Sequence, residues 1–280
     1  MATTDADLGS PGDLDEGERE AVEHLLYRLA DDEFVLAERY TEWQVRAPTL
    51  ESDLSLSNIA QDELGHARLW YDLLEDFGYS ESDLVWERPP GEWRHATLSE
   101  VPFAEGDWAD AVLRSYLYDV AEGIRLSALE ESSYARIRDR VPKIRGEEGF
   151  HRDHAEGWLE RLATDSGGLD RLQSALDRLF PHALALFAPT DPEIEDRIDD
   201  LGLRTASLSE MRGEWRSEVE PFLSELGLTV PDADRHTPHG RGGDHTGDWD
   251  DLHDDFTHTY RELGRTEARR IMVDPDEAES

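Results

Sequence analysis

Two short stretches, Glu63-Leu64-Gly65-His66 and Glu148-Gly149-Phe150-His151, place a carboxylate and an imidazole three positions apart. On a helix that spacing brings both groups to one face, so each stretch offers oxygen and nitrogen donors to a single point. Two such pairs on facing helices have the donors to hold two metal ions. The chain contains no cysteine, which excludes disulfides, thiolate metal sites and Cys nucleophiles and leaves His and carboxylate as the available ligands. In so acidic a sequence a single Glu-x-x-His arises readily by chance, and its neighbours decide its meaning. Around Glu63 the same-face residues are Leu56, Ile59, Ala60, Ala67 and Trp70; around Glu148 and His151 they are Ile144, Ala155, Trp158 and Leu162. Both pairs therefore interrupt apolar stripes, and a carboxylate directed into a core is costly unless it is paired or coordinates a metal.

Four long helical patterns position these residues. The first runs from Glu18 to Arg46 and closes at Ala47-Pro48; the second runs from a Thr49 cap to about Phe77. The link from Gly78 to Gly106, with Pro89, Pro90, Gly91 and Pro102, is too long for an ordinary loop. Patterns resume from Asp107 to Glu131 and from Ser132 to Ala163, the latter expected to kink or break at Pro142. Further helices are expected over Leu169–Phe187, Ser207–Leu226 and Asp248–Ile271. Two antiparallel pairs joined by one long crossover make an all-α, ferritin-like four-helix bundle with additional C-terminal helices. The helical domain is expected over 17–271, between disordered acidic tails at 1–16 and 272–280.

Such bundles take one further carboxylate from each of the other two helices. Across an antiparallel turn at Pro48 the residue level with Glu63 is Glu33, on a stripe of Leu26, Leu29, Ala30, Leu36, Ala37 and Tyr40. In the second pair Asp119 lies level with Glu148, with Glu122 one turn later as its rival. Asp119 precedes Glu148 by 29 residues and Glu33 precedes Glu63 by 30, a near-equality that suits one quasi-symmetric site. Four carboxylates and two imidazoles without sulfur suit iron or manganese better than zinc. The competing reading is a metal-free core in which the same acids and histidines satisfy one another and nearby arginines.

Charge bounds the partners. With 28 basic and 66 acidic residues the 280-residue chain carries a formal charge of −38, which repels nucleic-acid phosphates and anionic membrane surfaces. Lys143 is the only lysine, and this Arg-for-Lys bias with surplus acid resembles proteins adapted to multimolar salt, where the Debye length falls below ~3 Å. No apolar run approaches the ~18 residues of a membrane span, and the acidic N-terminus does not read as a secretory signal, so a cytoplasmic location is expected. His236, His239, His245, His253 and His258 are spaced too irregularly to suggest a metal site.

Several motifs carry a resemblance. Glu42-Trp43, Ala47-Pro48-Thr49-Leu50-Glu51, Asp53 and Asn58-Ile59-Ala60 are similar to the helix-turn-helix of the PaaC-type component of phenylacetyl-CoA epoxidase, a multicomponent ring oxygenase. So are Glu92-Trp93-Arg94, Gly106-Asp107-Trp108-Ala109, Leu117-Tyr118-Asp119 and Gly240-Arg241-x-Gly243-x-His245-Thr246, over roughly residues 30–250. The resemblance implies a ferritin-like subunit of an enzyme that uses dioxygen and a separate NADPH-dependent reductase to form a ring 1,2-epoxide on phenylacetyl-CoA. It further implies pairing with a related PaaA-type component that carries two irons, the PaaC-type component being the structural partner. Some PaaC-type proteins lack an acid at the position of Glu33, so this chain has a fuller ligand set. The expected role is that of structural partner of the catalytic paralogue; the alternatives are a di-iron oxygenase subunit in its own right and a stand-alone ferritin-like iron or peroxide protein.

Overall fold

The computed structural model describes residues 7–103 and 107–264, and no strand occurs among them. The first antiparallel pair is α1 (Glu16–Thr41) and α2 (Leu50–Glu75). Asp15 caps α1 in a capping box, accepting from Glu18 N–H at 2.8 Å while the Glu18 carboxylate accepts from Asp15 N–H at 2.9 Å. The α1 helix stops at Thr41, earlier than the sequence pattern suggests, and a 3-10 turn over Gln44–Arg46 leads to Pro48. The Thr49 hydroxyl then caps α2 by accepting from Ser52 N–H at 3.1 Å.

The crossover carries a π-helical turn at Ser82–Trp86, a 3-10 turn at Pro90–Glu92 and the short helix α3 (Thr97–Glu100). The second pair is α4 (Trp108–Leu129) and α6 (Val141–Thr164), separated by the one-turn α5 (Ala135–Arg138). A single helix from Ser132 is thereby corrected. Pro142 lies in the first turn of α6, where its missing N–H leaves no hydrogen bond unmade, so it starts the helix and does not kink it. Then follow α7 (Gly168–Ala183), α8 (Pro192–Asp200), α9 (Leu208–Glu225) and α10 (Gly247–Glu262). The short α8 has no counterpart in the sequence reading. Residues 1–6 and 265–280, which include the expected end of the last helix and the acidic tail at 272–280, lie outside the described residues, as does Gly106. Within the stretch 7–16, Leu8 N–H donates to Ser133 O at 2.9 Å.

The apolar interior falls into two clusters. One switches to the other between Val35 and Leu36 on α1, between Ala60 and Ala67 on α2, and between Ile144 and Ala155 on α6. The polar residues Glu33, Glu63, His66, Glu148 and His151 occupy the layer between them, and all are buried. The α4 helix is buried on almost every side despite carrying Asp119, Glu122 and Arg125 inward.

Two acids on α1 fasten the crossover and the C-terminal segment to the bundle. Asp31 accepts from Tyr71 Oη and Arg94 N–H, both at 2.7 Å, and from Arg88. Asp32 accepts from Ala96 N–H at 2.7 Å, from the Arg241 fork at 3.0 and 2.7 Å, and from Arg125. Arg241 can reach because Gly240 and Gly243, at φ +87° and +82°, let the backbone touch the crossover. A Cβ on Gly240 would lie 2.2 Å from His95 O, and one on Gly243 1.9 Å from Gly91 O. The Gly-Arg-x-Gly motif is thus a docking turn.

Candidate metal centre

Periodicity within each Glu-x-x-His turn separates ligand from surface. Glu63 and His66 are fully buried, whereas Leu64 between them is 36% exposed; on α6 His151 is buried and Phe150 is 50% exposed. The donors then converge. His66 Nδ1 lies 3.3 Å from Glu148 Oε1, 3.9 Å from Glu63 Oε2 and 4.0 Å from Glu33 Oε2. His151 Nδ1 lies 3.3 Å from Glu148 Oε1 and 3.6 Å from Glu63 Oε1. Two ligand groups result, Glu33–Glu63–His66 and Glu63–Asp119–His151, with Glu63 common to both. Glu148 stands at equal distance from the two imidazoles, whose ring centroids are 6.1 Å apart.

The six residues singled out by spacing are therefore brought together. Between the two candidates on α4 the geometry separates roles. Asp119 belongs to the second ligand group and takes a hydrogen bond from Ser115 Oγ at 2.9 Å. Glu122 is also fully buried, but it is ion-paired with Arg125 of its own helix.

Each histidine is aimed from behind. His66 Nε2 meets the Glu147 carboxylate at 2.8 Å, and His151 Nε2 meets Asp62 at 3.2 Å. An ionised carboxylate only accepts, so each Nε2 carries hydrogen, and each ring that gives up its inward proton turns its Nδ1 lone pair toward the layer. The pairing is crossed: the acid preceding Glu63 orients the histidine of α6, and the acid preceding Glu148 orients the histidine of α2. Sequence reasoning missed Asp62 and Glu147, although an acid directly before the glutamate in both Glu-x-x-His stretches was visible.

The fit to a metal pair rests on unsatisfied donors. Both oxygens of Glu33, Glu63, Glu122 and Glu148, Asp119 Oδ1, and Nδ1 of His66 and His151 are buried without a hydrogen-bond partner, Glu122 differing in its ion pair with Arg125. Buried polar atoms left unpaired in such number are exceptional, and these converge on one layer. Without cations the cluster is held by protons. Burial, reinforced by Glu122 and Glu63, raises the Glu33 carboxyl well above its usual range. Burial and the Glu148 charge do the same to Asp119. Burial opposes charge on the imidazoles, but the adjoining Glu148 and Glu63 carboxylates outweigh it and push His66 up to about 9 and His151 up to about 12. Burial likewise opposes the Glu148 anion, yet the two imidazoles hold it down to about 2.

A second group, His95, Glu100 and His245, has compatible donors but fails the same criterion. Glu100 Oε2 accepts from His95 Nε2 at 2.6 Å and His245 Nδ1 at 2.7 Å, while Oε1 accepts from Thr246 N–H at 2.6 Å. Its carboxylate is fully engaged in pinning the C-terminal segment to the crossover. Other histidines of that segment make separate contacts: His253 Nε2 donates to Arg88 O at 3.1 Å and His236 Nδ1 to Pro238 O at 2.7 Å.

Residues 10–267 match the family model described as phenylacetic acid catabolic protein. The chain belongs to that family. Among its relatives, the C component of the 1,2-phenylacetyl-CoA epoxidase of Escherichia coli (strain K12) is 31% identical over 223 residues, 78% of this chain and 88% of that protein. The A component of the same enzyme is 29% identical over 197 residues, 69% of this chain and 63% of that protein. No helix among the described residues is long and apolar enough to cross a membrane.

Proposed function

We propose that this chain is one of the subunits of a multicomponent phenylacetyl-CoA 1,2-epoxidase and that its bundle holds two irons through Glu33, Glu63, His66, Asp119, Glu148 and His151. The observation that carries the metal reading is the convergence in one layer of six buried ligand side chains whose inward atoms, both oxygens of Glu33, Glu63 and Glu148, Asp119 Oδ1 and Nδ1 of the two histidines, lack a hydrogen-bond partner. Two irons held there would supply dioxygen activation for oxygen transfer to the aromatic ring, with electrons drawn from a separate NADPH-dependent reductase. The chain's own contribution is positioning. Glu63 is the shared carboxylate, Asp62 and Glu147 fix the imidazole tautomers, and the two apolar clusters on either side exclude water from the layer. Carboxylate-rich donors with two nitrogens favour iron or manganese over thiolate-seeking metals.

A second reading has its own support. The similarity reaches further along the C component of the epoxidase than along the A component, 88% against 63% of the relative's length, which favours a role as structural partner of a PaaA-type paralogue. Both readings set the chain beside such a paralogue. Co-expression with the paralogue, the remaining epoxidase subunits and the reductase tests the assignment. Co-purification and NADPH- and dioxygen-dependent epoxidation of phenylacetyl-CoA are expected. A complex that forms and turns over equally well without this chain would overturn it.

A further inference from the structure

On the outer side of the α1–α2 pair lies a groove of about 300 Å³, the space of about ten waters. Its floor is apolar, formed by Phe34 of α1, Ala67 of α2, and Leu84, Val85 and Trp86 of the π-helical turn. Its rim is acidic, with Glu38, Asp72, Glu75 and Glu81 against the single base Arg68, which is itself 4.0 Å from Asp72. Burial, with the Glu42 charge adding to it, pushes the half-buried Glu38 carboxyl up to about 7, as happens to an acid with no cation beside it. A groove that is apolar below and anionic above suits an occupant that is both apolar and cationic.

A segment of this same chain has that chemistry and begins beside the groove. Tyr260 of α10 stacks on Trp86 with ring centroids 5.7 Å apart, and its hydroxyl donates to Glu87 at 2.6 Å. The helix ends at Glu262, and Gly264 at φ +56° takes the left-handed conformation that stops a helix. The sequence then reads Arg265-Thr266-Glu267-Ala268-Arg269-Arg270-Ile271-Met272-Val273, followed by the acidic Asp274-Pro275-Asp276-Glu277. In a chain with 28 basic residues among 280, three arginines within 265–270 directly before three apolar residues form a local exception. The step from Gly264 to Ile271 covers up to about 23–25 Å when extended, ample to pass from Tyr260 over Trp86 into the groove.

We propose that the C-terminal segment 265–273 docks in this groove of its own chain, with Ile271, Met272 and Val273 on the apolar floor and Arg265, Arg269 and Arg270 facing the acidic rim. Exposed ion pairs alone hold little, so the apolar triplet supplies the burial and the arginines set the register. The tether keeps the segment at an effective concentration of about millimolar, so modest contacts suffice. A second copy would have to bring the same chemistry without that advantage. Phe34 and Ala67 directly follow Glu33 and His66 in the chain, so the docked segment covers the outer side of the carboxylate layer. The docking itself does not depend on metal being held there.

The test uses the full-length chain. Hydrogen exchange of the unaltered protein is expected to show the amides of 265–273 exchanging about tenfold more slowly than those of 276–280, and Arg269→Glu with Arg270→Glu to remove the difference. Placement is read separately. The chain has no cysteine, so Leu64→Cys with Met272→Cys allows a single intrachain disulfide, which requires Cα atoms within about 7 Å. That pair is expected to close under mild oxidation. Leu54→Cys with Met272→Cys, about 15 Å away along α2, is expected to stay open. Both leucines are partly or largely exposed, 36% for Leu64 and 57% for Leu54, so the replacements spare the core. A Leu64 pair that stays open or closes no faster than the Leu54 pair, or exchange at 265–273 as fast as at 276–280, would overturn the proposal. So would a disulfide joining two chains, which would make a second copy the occupant.

Discussion

Proton release on metal binding gives a quantitative handle on the buried layer. Before metal enters, His66 at about 9 and His151 at about 12 both carry a proton at neutral pH, with Glu33 and Asp119 also raised. Ligation requires the inward nitrogens to be unprotonated, so two cations entering displace at least the two imidazole protons. Between pH 7 and 8 the affinity for the pair should then rise about 100-fold, or about 2.7 kcal/mol, because each proton contributes a factor of ten per pH unit. Calorimetric titration with Mn²⁺ in two buffers of different ionisation enthalpy counts the protons directly. The metal-free fold should show the opposite trend. A histidine raised to about 9 stabilises that fold in full below the ordinary value near 6.5, and the contribution is lost as pH climbs through about 9. Metal-free Tm should therefore fall over that window while the metal-bound form is spared. Release of fewer than about one proton per metal pair, or an affinity flat between pH 7 and 8, would refute the proton-held description of the layer.

Three substitutions probe separate parts of the structure. Asp119→Asn should halve bound metal, whereas Glu122→Gln should leave it unchanged because Arg125 already occupies that carboxylate; elemental analysis reads both. Asp32→Asn should cost about 3–5 kcal/mol by leaving Arg125 and Arg241 short of their buried partner, lowering Tm by roughly 10 °C in a calorimetric scan. Gly243→Ala forces a side chain to φ +82° and to 1.9 Å from Gly91 O, so urea unfolding should show a loss of at least about 1–3 kcal/mol. Limited proteolysis of that variant should begin in the segment leading into α10.

Much of the architecture was legible because apolar residues recur at helical spacing along the long helices and the breaks between them carry Pro and Gly. Thr49 and the Ala47-Pro48 break fixed the first turn, and counting outward from it put Glu33 level with Glu63. What remained hidden depended on contacts distant in sequence. Arg138, Tyr134 and Ser132 look helical in isolation, yet the chain turns there because Ser133 N–H donates to Gly202 O at 2.9 Å, a partner about seventy residues away. The α8 helix is only nine residues long and too acidic to announce an apolar face; its Glu195 is buried by arginines from α1 and from the α8–α9 turn. The pair Asp31-Asp32 reads as solvated until the crossover and Arg241 are folded onto it. Glu147 and Asp62 are half-exposed, and only the crossed geometry of α2 and α6 gives them a task.

Elemental analysis of the full-length chain, reconstituted anaerobically with ferrous iron and freed of loose metal, bears most directly on the buried layer. About two irons per chain are expected, with Glu63→Ala losing both because that carboxylate belongs to each ligand group. A chain that retains no iron, or one whose iron content is the same with and without Glu63, would contradict the metal centre and leave the structural-partner role.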